Sequence, residues 1–260
     1  MTTDAYTFGD TGRASARLRR LAELYESETR ELLQRGSVRA PRLALDLGCG
    51  PGWSTKLLQE VLNPERTIGL DASERYIAEA RQNFGPGLEF HQHDVARTPF
   101  PTPAPEVMLC RFLLTHLSSL ERVLAAWASA AARGALLFIH ETESLETEHP
   151  TLRRYYELVG QLQHHYGQTL YVGGLLDGSF ADSGWHVLES RRLSVEKPAS
   201  RMAELHLANV RTWRHDDYAR RAFSSDEIDS IEASLQRIAE GTEEGGVVIN
   251  AARQIIAQRN

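Results

Sequence analysis

Short apolar runs alternate with amphipathic stretches through the first half of the chain. Leu18, Leu21, Leu24, Tyr25, Leu32 and Leu33 recur at helical spacing among Arg and Glu. That predicts one long helix or two short ones over 13–35, closed by Gly36 and Pro41. Leu43–Leu47 is an apolar run opening into glycines and predicts a buried strand. Ser54–Leu62 predicts a helix stopped by Asn63 and Pro64. Thr67–Asp71 is a second strand and Leu88–His93 a third, separated by a helix over Ser73–Phe84 with Ser73 as its N-cap and Gly85 past its end. Pro99, Pro101, Pro103 and Pro105 make the following segment a loop. Val107–Phe112, Leu120–Ala132 and Ala135–Ile139 then read as strand, helix and strand, with Gly134 ending the helix.

This alternation, in units of roughly 20–35 residues, predicts an α/β fold with a doubly wound, mostly parallel sheet. After Thr151 the rhythm changes. Leu152–Tyr166, Met202–Trp213 and Asp226–Ala239 read as helices, and Trp185–Val195 and Val247–Ala257 as strands. Neither an internal repeat nor a low-complexity segment is present.

Composition adds exclusions. The 260 residues are 42% apolar and 25% charged, a globular balance that argues against disorder. A net charge of -6 disfavours capture of nucleic acid or an anionic membrane by bulk charge. Two cysteines, Cys49 and Cys110, cannot make a disulfide framework or a Cys-rich zinc site, and both read as small packing residues. Met1–Asp10 lacks the apolar core of a signal peptide, and no apolar run reaches the roughly 18 residues of a membrane helix. A soluble, cytoplasmic protein is expected.

The chemistry concentrates at strand ends. Asp46-Leu47-Gly48-Cys49-Gly50-Pro51-Gly52 joins the first strand to its helix, where ligands bind in open α/β sheets and where a helix N-terminus favours anionic or polar groups. A dinucleotide fingerprint would need a third glycine at Trp53; here Gly52 falls one residue early, so that fingerprint is broken. Asp71 closes the second strand, where a carboxylate can accept from both hydroxyls of a ribose. Asp94 closes the third.

The D-x-G-x-G-x-G loop and the ordered acids Asp46, Asp71 and Asp94 resemble the class I S-adenosylmethionine-dependent methyltransferases, most of all their small-molecule and natural-product branch. The resemblance covers 42–141 and extends loosely to an N-terminal cap (Tyr6 to Leu33) and a helical insertion before the last strand. It implies a Rossmann-like doubly wound sheet of seven strands, mostly parallel with an antiparallel last strand, plus helical caps. It implies S-adenosyl-L-methionine as cofactor and S-adenosyl-L-homocysteine as product. The backbone of Gly48, Cys49, Gly50 and Gly52 would cradle the methionine and ribose portion, and Asp46 would approach the amino group. Asp71, beside Ala72, would hold the ribose; Asp94 and the N–H of Val95 would meet the adenine. Met108–Leu117 would line the cofactor and begin the acceptor cavity. Arg111, a charge ending a buried strand, needs a partner and is expected near Asp94, at the cofactor edge or on an acidic substrate group.

The expected division is an N-terminal helical cap over 1–40, a cofactor-binding core over 41–150, and a substrate cap with the last two strands over 151–260, within a single structural domain. The methyl rests on a positively charged sulfur, so alignment supplies much of the rate, and a base is needed only if the nucleophile must lose a proton. Candidates for that role are His116, His140 and Glu141, with Tyr155, Tyr156, His164, His165 and Tyr171 in the segment covering the site; an ordinary structural role is open for each. His91 and His93 share one strand face and Asp94 lies nearer the other, so no metal is expected. The expected acceptor is a small organic molecule, methylated on oxygen or nitrogen rather than carbon, with no nucleic acid or membrane partner. A monomer or homodimer is expected. Two alternatives stand beside this reading: a nicotinamide-dependent oxidoreductase, and a cofactor-binding protein of this fold that does not methylate.

Overall fold

The computed structural model describes residues 12–38 and 40–260. Alternation within the first strands decides the layering. In β1 (Leu43–Leu47), Leu43, Leu45 and Leu47 face one side of the sheet and Ala44 the other. β4 (Val107–Arg111) repeats the pattern, with Met108 and Cys110 on the first side and Val107 and Leu109 on the second. Both faces are therefore apolar, and both are covered by helices. α5 (Leu120–Ala130) packs Leu124 and the fully buried Trp127 on the first face. α2 (Glu26–Arg35) and α3 (Trp53–Leu62) pack Leu32, Leu33 and Leu58 on the second.

The sheet has seven strands in the order β3-β2-β1-β4-β5-β7-β6, where β2 is Arg66–Asp71, β3 Glu89–Gln92, β5 Leu136–Glu146, β6 Trp185–Pro198 and β7 Val247–Arg259. β1 to β5 pair in parallel; β7 is antiparallel to both β5 and β6. The chain winds outward from β1 in both directions, which opens a crevice at the carboxyl ends of β1 and β4. α4 (Glu74–Phe84) starts at the expected cap, Ser73, whose hydroxyl accepts from the Tyr76 N–H at 3.2 Å.

Beyond the sheet, α6 (Pro150–His165), α8 (Ala199–Trp213), α9 (Asp217–Ala222) and α10 (Ser225–Glu240) share a core of their own that includes Leu152, Leu162, Val210, Trp213 and Leu235. The N-terminal helices are two: α1 (Gly12–Leu24) and α2 meet at Tyr25, which leaves helical geometry with φ -120° and ψ 19°. The expected cap over 1–40 is thus described from residue 12. Met1–Asp10, with Tyr6, lies outside the described residues.

The fifth strand runs past the expected Ile139 to Glu146, because β7 supplies it with an antiparallel partner through this polar stretch. Among the described residues, three helical pieces go beyond the individual helices expected: a 3-10 turn over Leu114–His116, α9, and the turns over 172–179 that end in α7 (Leu176–Ser179). Each is too short to show a period. Among the described residues no helix is long and apolar enough to cross a membrane.

Candidate active site

The loop after β1 is built by its own glycines. Gly48 and Gly50 hold φ of 70° and 51°, the left-handed region that glycine enters without steric cost. The N–H groups of Gly48 and Cys49 both donate to Leu70 O, at 2.8 and 2.9 Å, which ties the turn to β2. A Cβ on Gly50 would lie 3.3 Å from the end of the Leu18 side chain of α1, a tight contact, with no other described residue within 4 Å.

The three strand-end acids are held differently. Asp46 is 1% exposed; its Oδ2 accepts from Ser54 and Thr55 hydroxyls at 2.7 Å each, and its Oδ1 has no partner among the described residues. Burial raises its pKa to about 6, against the lowering effect of those hydroxyls. Asp71 accepts the Gly50 N–H on Oδ2 and the Ser73 N–H on Oδ1, both at 2.9 Å. Asp94 is more open, with Oδ1 accepting from Ala96 N–H at 3.0 Å and Arg97 Nε 3.2 Å from Oδ2. Val95 is buried behind it, and its carbonyl accepts from Trp127 Nε1 at 2.8 Å. Cys49 and Cys110 are both buried, and burial pushes both thiols up.

One cavity of about 1060 Å³ begins at this edge and continues under the caps. Gly48, Cys49, Gly50, Asp71, Ala72 and Asp94 line its first part; Val95 and Arg111 also reach it, whereas Asp46 and Gly52 support the loop from behind. A long ligand with an amino acid end, a ribose and an aromatic base fits this donor set. Asp71 and Asp94 present carboxylates to it and the glycines admit close approach, whereas the unpartnered Asp46 Oδ1 lies behind the loop and does not reach the cavity.

The second part lies beneath α1, α6 and α8. Tyr155, Tyr156 and Gln163 reach it from α6, His206 and Asn209 from α8, and Arg17 from α1. Of the base candidates, His116 and Glu141 line the cavity and His140 does not. Consecutive residues on a strand face opposite sides. Glu141 therefore faces the cavity, while His140 turns under α2 and pairs through Nδ1 with Thr29 Oγ1 at 3.0 Å. Glu141 Oε1 accepts from the N–H groups of Leu113 and Leu114 at 2.7 and 2.8 Å, and burial raises its pKa to about 7. His116 pairs with Gln168 at 3.3 Å, and desolvation pulls its pKa down to about 4, which keeps the ring neutral. His164 and His165 are exposed, and Tyr171 is not among the lining residues.

Arg111 does not reach for Asp94. Its Nη2 donates to the carbonyls of Leu21 and Ala22 at 3.1 and 3.2 Å, holding the end of α1 over the crevice. Lys197 does the same from β6, donating to Leu24 O at 2.7 Å and Glu28 Oε1 at 2.6 Å. Sequence reasoning missed Arg17, His206 and Asn209. The available signal was polar residues set on otherwise apolar helix faces, as in Met202, Leu205, His206, Asn209.

Residues 44–134 match the model of a family described as a methyltransferase domain. Trans-aconitate 2-methyltransferase of Methylobacterium nodulans is 37% identical over 125 residues, 48% of each chain. The protein of that name from Acidovorax sp. is 38% identical over 145 residues, 54% of this chain and 55% of that one. The chain thus spans about half the length of these relatives. A geranyl diphosphate methyltransferase solved with S-adenosylmethionine superposes with a TM-score of 0.55 at 15% identity, over 98% of this chain and 94% of that one, a likeness of fold.

Proposed function

We propose that this chain, whose residues 44–134 form a class I S-adenosylmethionine-dependent methyltransferase domain, methylates a carboxylate oxygen of a small organic acid. The cofactor is S-adenosylmethionine, which supplies an electrophilic methyl group. Gly48 to Gly50 and Asp71 bind and orient it, Asp94 and Val95 serve its base, and α1, pinned by Arg111, excludes water from above.

The observation that carries the acceptor class is the charge of the cavity's second part. Arg17 and the neutral rings of His116 and His206 line it, and among the described residues its one acid is Glu141, whose Oε1 is occupied by two backbone N–H groups. A cationic amine would find little compensation there. A carboxylate would, and it is already ionised near neutral pH, so no residue has to remove its proton. His116 then acts as an orienting hydrogen-bond partner. The names of the relatives point to the same chemistry.

The test is incubation with methyl-labelled cofactor and trans-aconitate. Label should appear in a methyl ester that alkali releases as methanol. Bound S-adenosylhomocysteine with no labelled product across a panel of carboxylic acids would refute carboxylate methylation. Retention of NAD instead would revive the oxidoreductase alternative.

A further inference from the structure

Gln163, Asn209 and Asn250 bring three amide side chains to the second part of the cavity, each from a different element. Gln163 comes from α6 and Asn209 from α8. Asn250 comes from β7, in register with Leu145 of β5, which packs against the core shared by α6 and α8. The three are 1%, 6% and 1% exposed. Among the described residues, Gln163 Oε1, Asn209 Oδ1 and Asn250 Oδ1 have no hydrogen-bond partner. Packing does not require this. Apolar side chains would fill the same positions at lower cost, since a buried polar atom is unfavourable unless bonded.

The neighbours hold this wall in place without completing it. Asn209 Nδ2 donates to Tyr155 Oη at 3.0 Å, which orients that amide and leaves its oxygen over. The Tyr155 ring stacks on His206 at 4.4 Å, and Tyr156 Oη and His206 Nε2 are 2.9 Å apart. A buried amide oxygen that the protein does not satisfy is completed by a ligand or a water. It can only accept, so its partner must carry an N–H or O–H. A carboxylate or an ether has none to offer.

Charge and shape narrow the donor. The charge of Arg17 bears on both His206 and Tyr155 and so raises the potential at this end. Desolvation draws the His206 pKa down to about 3, which keeps its ring neutral. Among the described residues, α6, α8 and β7 put no acid on the cavity wall, so an ammonium group would meet that potential uncompensated. A neutral hydroxyl or amide N–H is the donor that remains. The rest of the wall from α6 and α8 includes the rings of Tyr155 and Tyr156 and the side chains of Val159, Met202 and Leu205, which suit a flat apolar body.

We propose that the second part of the cavity contains a donor-recognising subsite, in which the amide oxygens of Gln163, Asn209 and Asn250 select a methyl acceptor whose apolar body ends in a neutral hydroxyl or amide N–H. The inference rests on reading this cavity as the site of a carboxylic acid, and it specifies the group at the other end of that molecule.

The experiment is calorimetric titration of the protein, saturated with S-adenosylhomocysteine, by four acids. They are 3-phenylpropanoate and its para-hydroxyl, para-carbamoyl and para-methoxy derivatives. The hydroxyl or the carbamoyl acid should bind at least about fivefold more tightly than the unsubstituted one, and the stronger of the two identifies the donor. The methoxy acid, which keeps the oxygen but not the proton, should gain nothing. Gln163→Met should erase the preference while the melting temperature of the free protein holds or rises, because an orphaned acceptor is removed. Asn250→Leu gives the same two readouts if Gln163→Met does not fold. Equal binding of the four acids, binding of none, or a methoxy acid as tight as the hydroxyl acid overturns the subsite. A preference that survives both substitutions, or a loss of stability in both, also overturns it. Each of these leaves methyl transfer to other acids standing. A donor preference with no labelled methyl ester from any acid is failure of the methyl-transfer reading alone.

Discussion

Asp71 ties down the loop and lines the cavity with one carboxylate. Its two oxygens each accept a backbone N–H, one from the glycine loop and one from the start of α4, so it fixes the crevice even as it faces it. Asp71→Ala should weaken S-adenosylhomocysteine binding by about 1.5–3 kcal/mol through lost charge-assisted hydrogen bonds. Calorimetry showing an unchanged Kd would refute the ribose assignment. Its place was legible because it follows from local order: β2 ends at Asp71, and the cap of α4, Ser73, follows two residues on. His140 and Glu141 mark the limit. As neighbours on a strand they cannot share a face, yet which one meets the cavity depended on where α2 packs. Arg17, His206 and Asn209 were illegible for a stronger reason, since helices far apart in sequence bring them together.

At the scale of elements, α1 is a cover held by its C-terminal carbonyls. Burial draws the Arg111 pKa down to about 10, and the guanidinium stays paired with Leu21 and Ala22. Cations are favoured at a helix C-terminus, and here two converge on one. Arg111→Met should remove about 1.5–3 kcal/mol of charged hydrogen bonding from that junction. Amide exchange across 12–24 should accelerate and cofactor affinity fall. If neither changes, Lys197 and the packing of Leu18 and Leu21 hold the helix without it. Elements with a clear apolar period, such as β1, α4 and α10, were readable from the chain. The polar reach of β5 from His140 to Glu146 was not, because its strand character comes from its partner rather than from its own pattern.

For the whole molecule, the buried carboxyls at the sheet edge give stability a pH dependence. Glu141 has its pKa raised to about 7 from the ordinary 4.5. Below about 4.5 both folded and unfolded forms keep the proton; as pH rises toward 7 the unfolded chain releases it first, so stability is lost over that window. Asp46, raised to about 6, slopes the same way, whereas His116 and His206, with lowered pKa values, slope oppositely at acid pH. Glu141→Gln isolates one contribution, because the amide oxygen can still accept from Leu113 and Leu114. Urea denaturation should find variant and parent alike near pH 4.5. The variant should gain up to about 3 kcal/mol near pH 8. A constant difference at both pH values would show that Glu141 titrates as an ordinary carboxyl.

The position of β7 has a consequence for how the molecule comes into being. It lies between β5 and β6, both of which precede it in sequence. During synthesis the parallel half of the sheet can form as each strand emerges. β6, however, is a strand without a neighbour until residues 247–259 arrive. The nascent chain therefore exposes two unsatisfied sheet edges, at β5 and at β6, for the time needed to make α8 to α10. Closing that gap also brings Asn250 into the cavity wall, so this part of the wall waits on the pairing of β7 with β5 and β6.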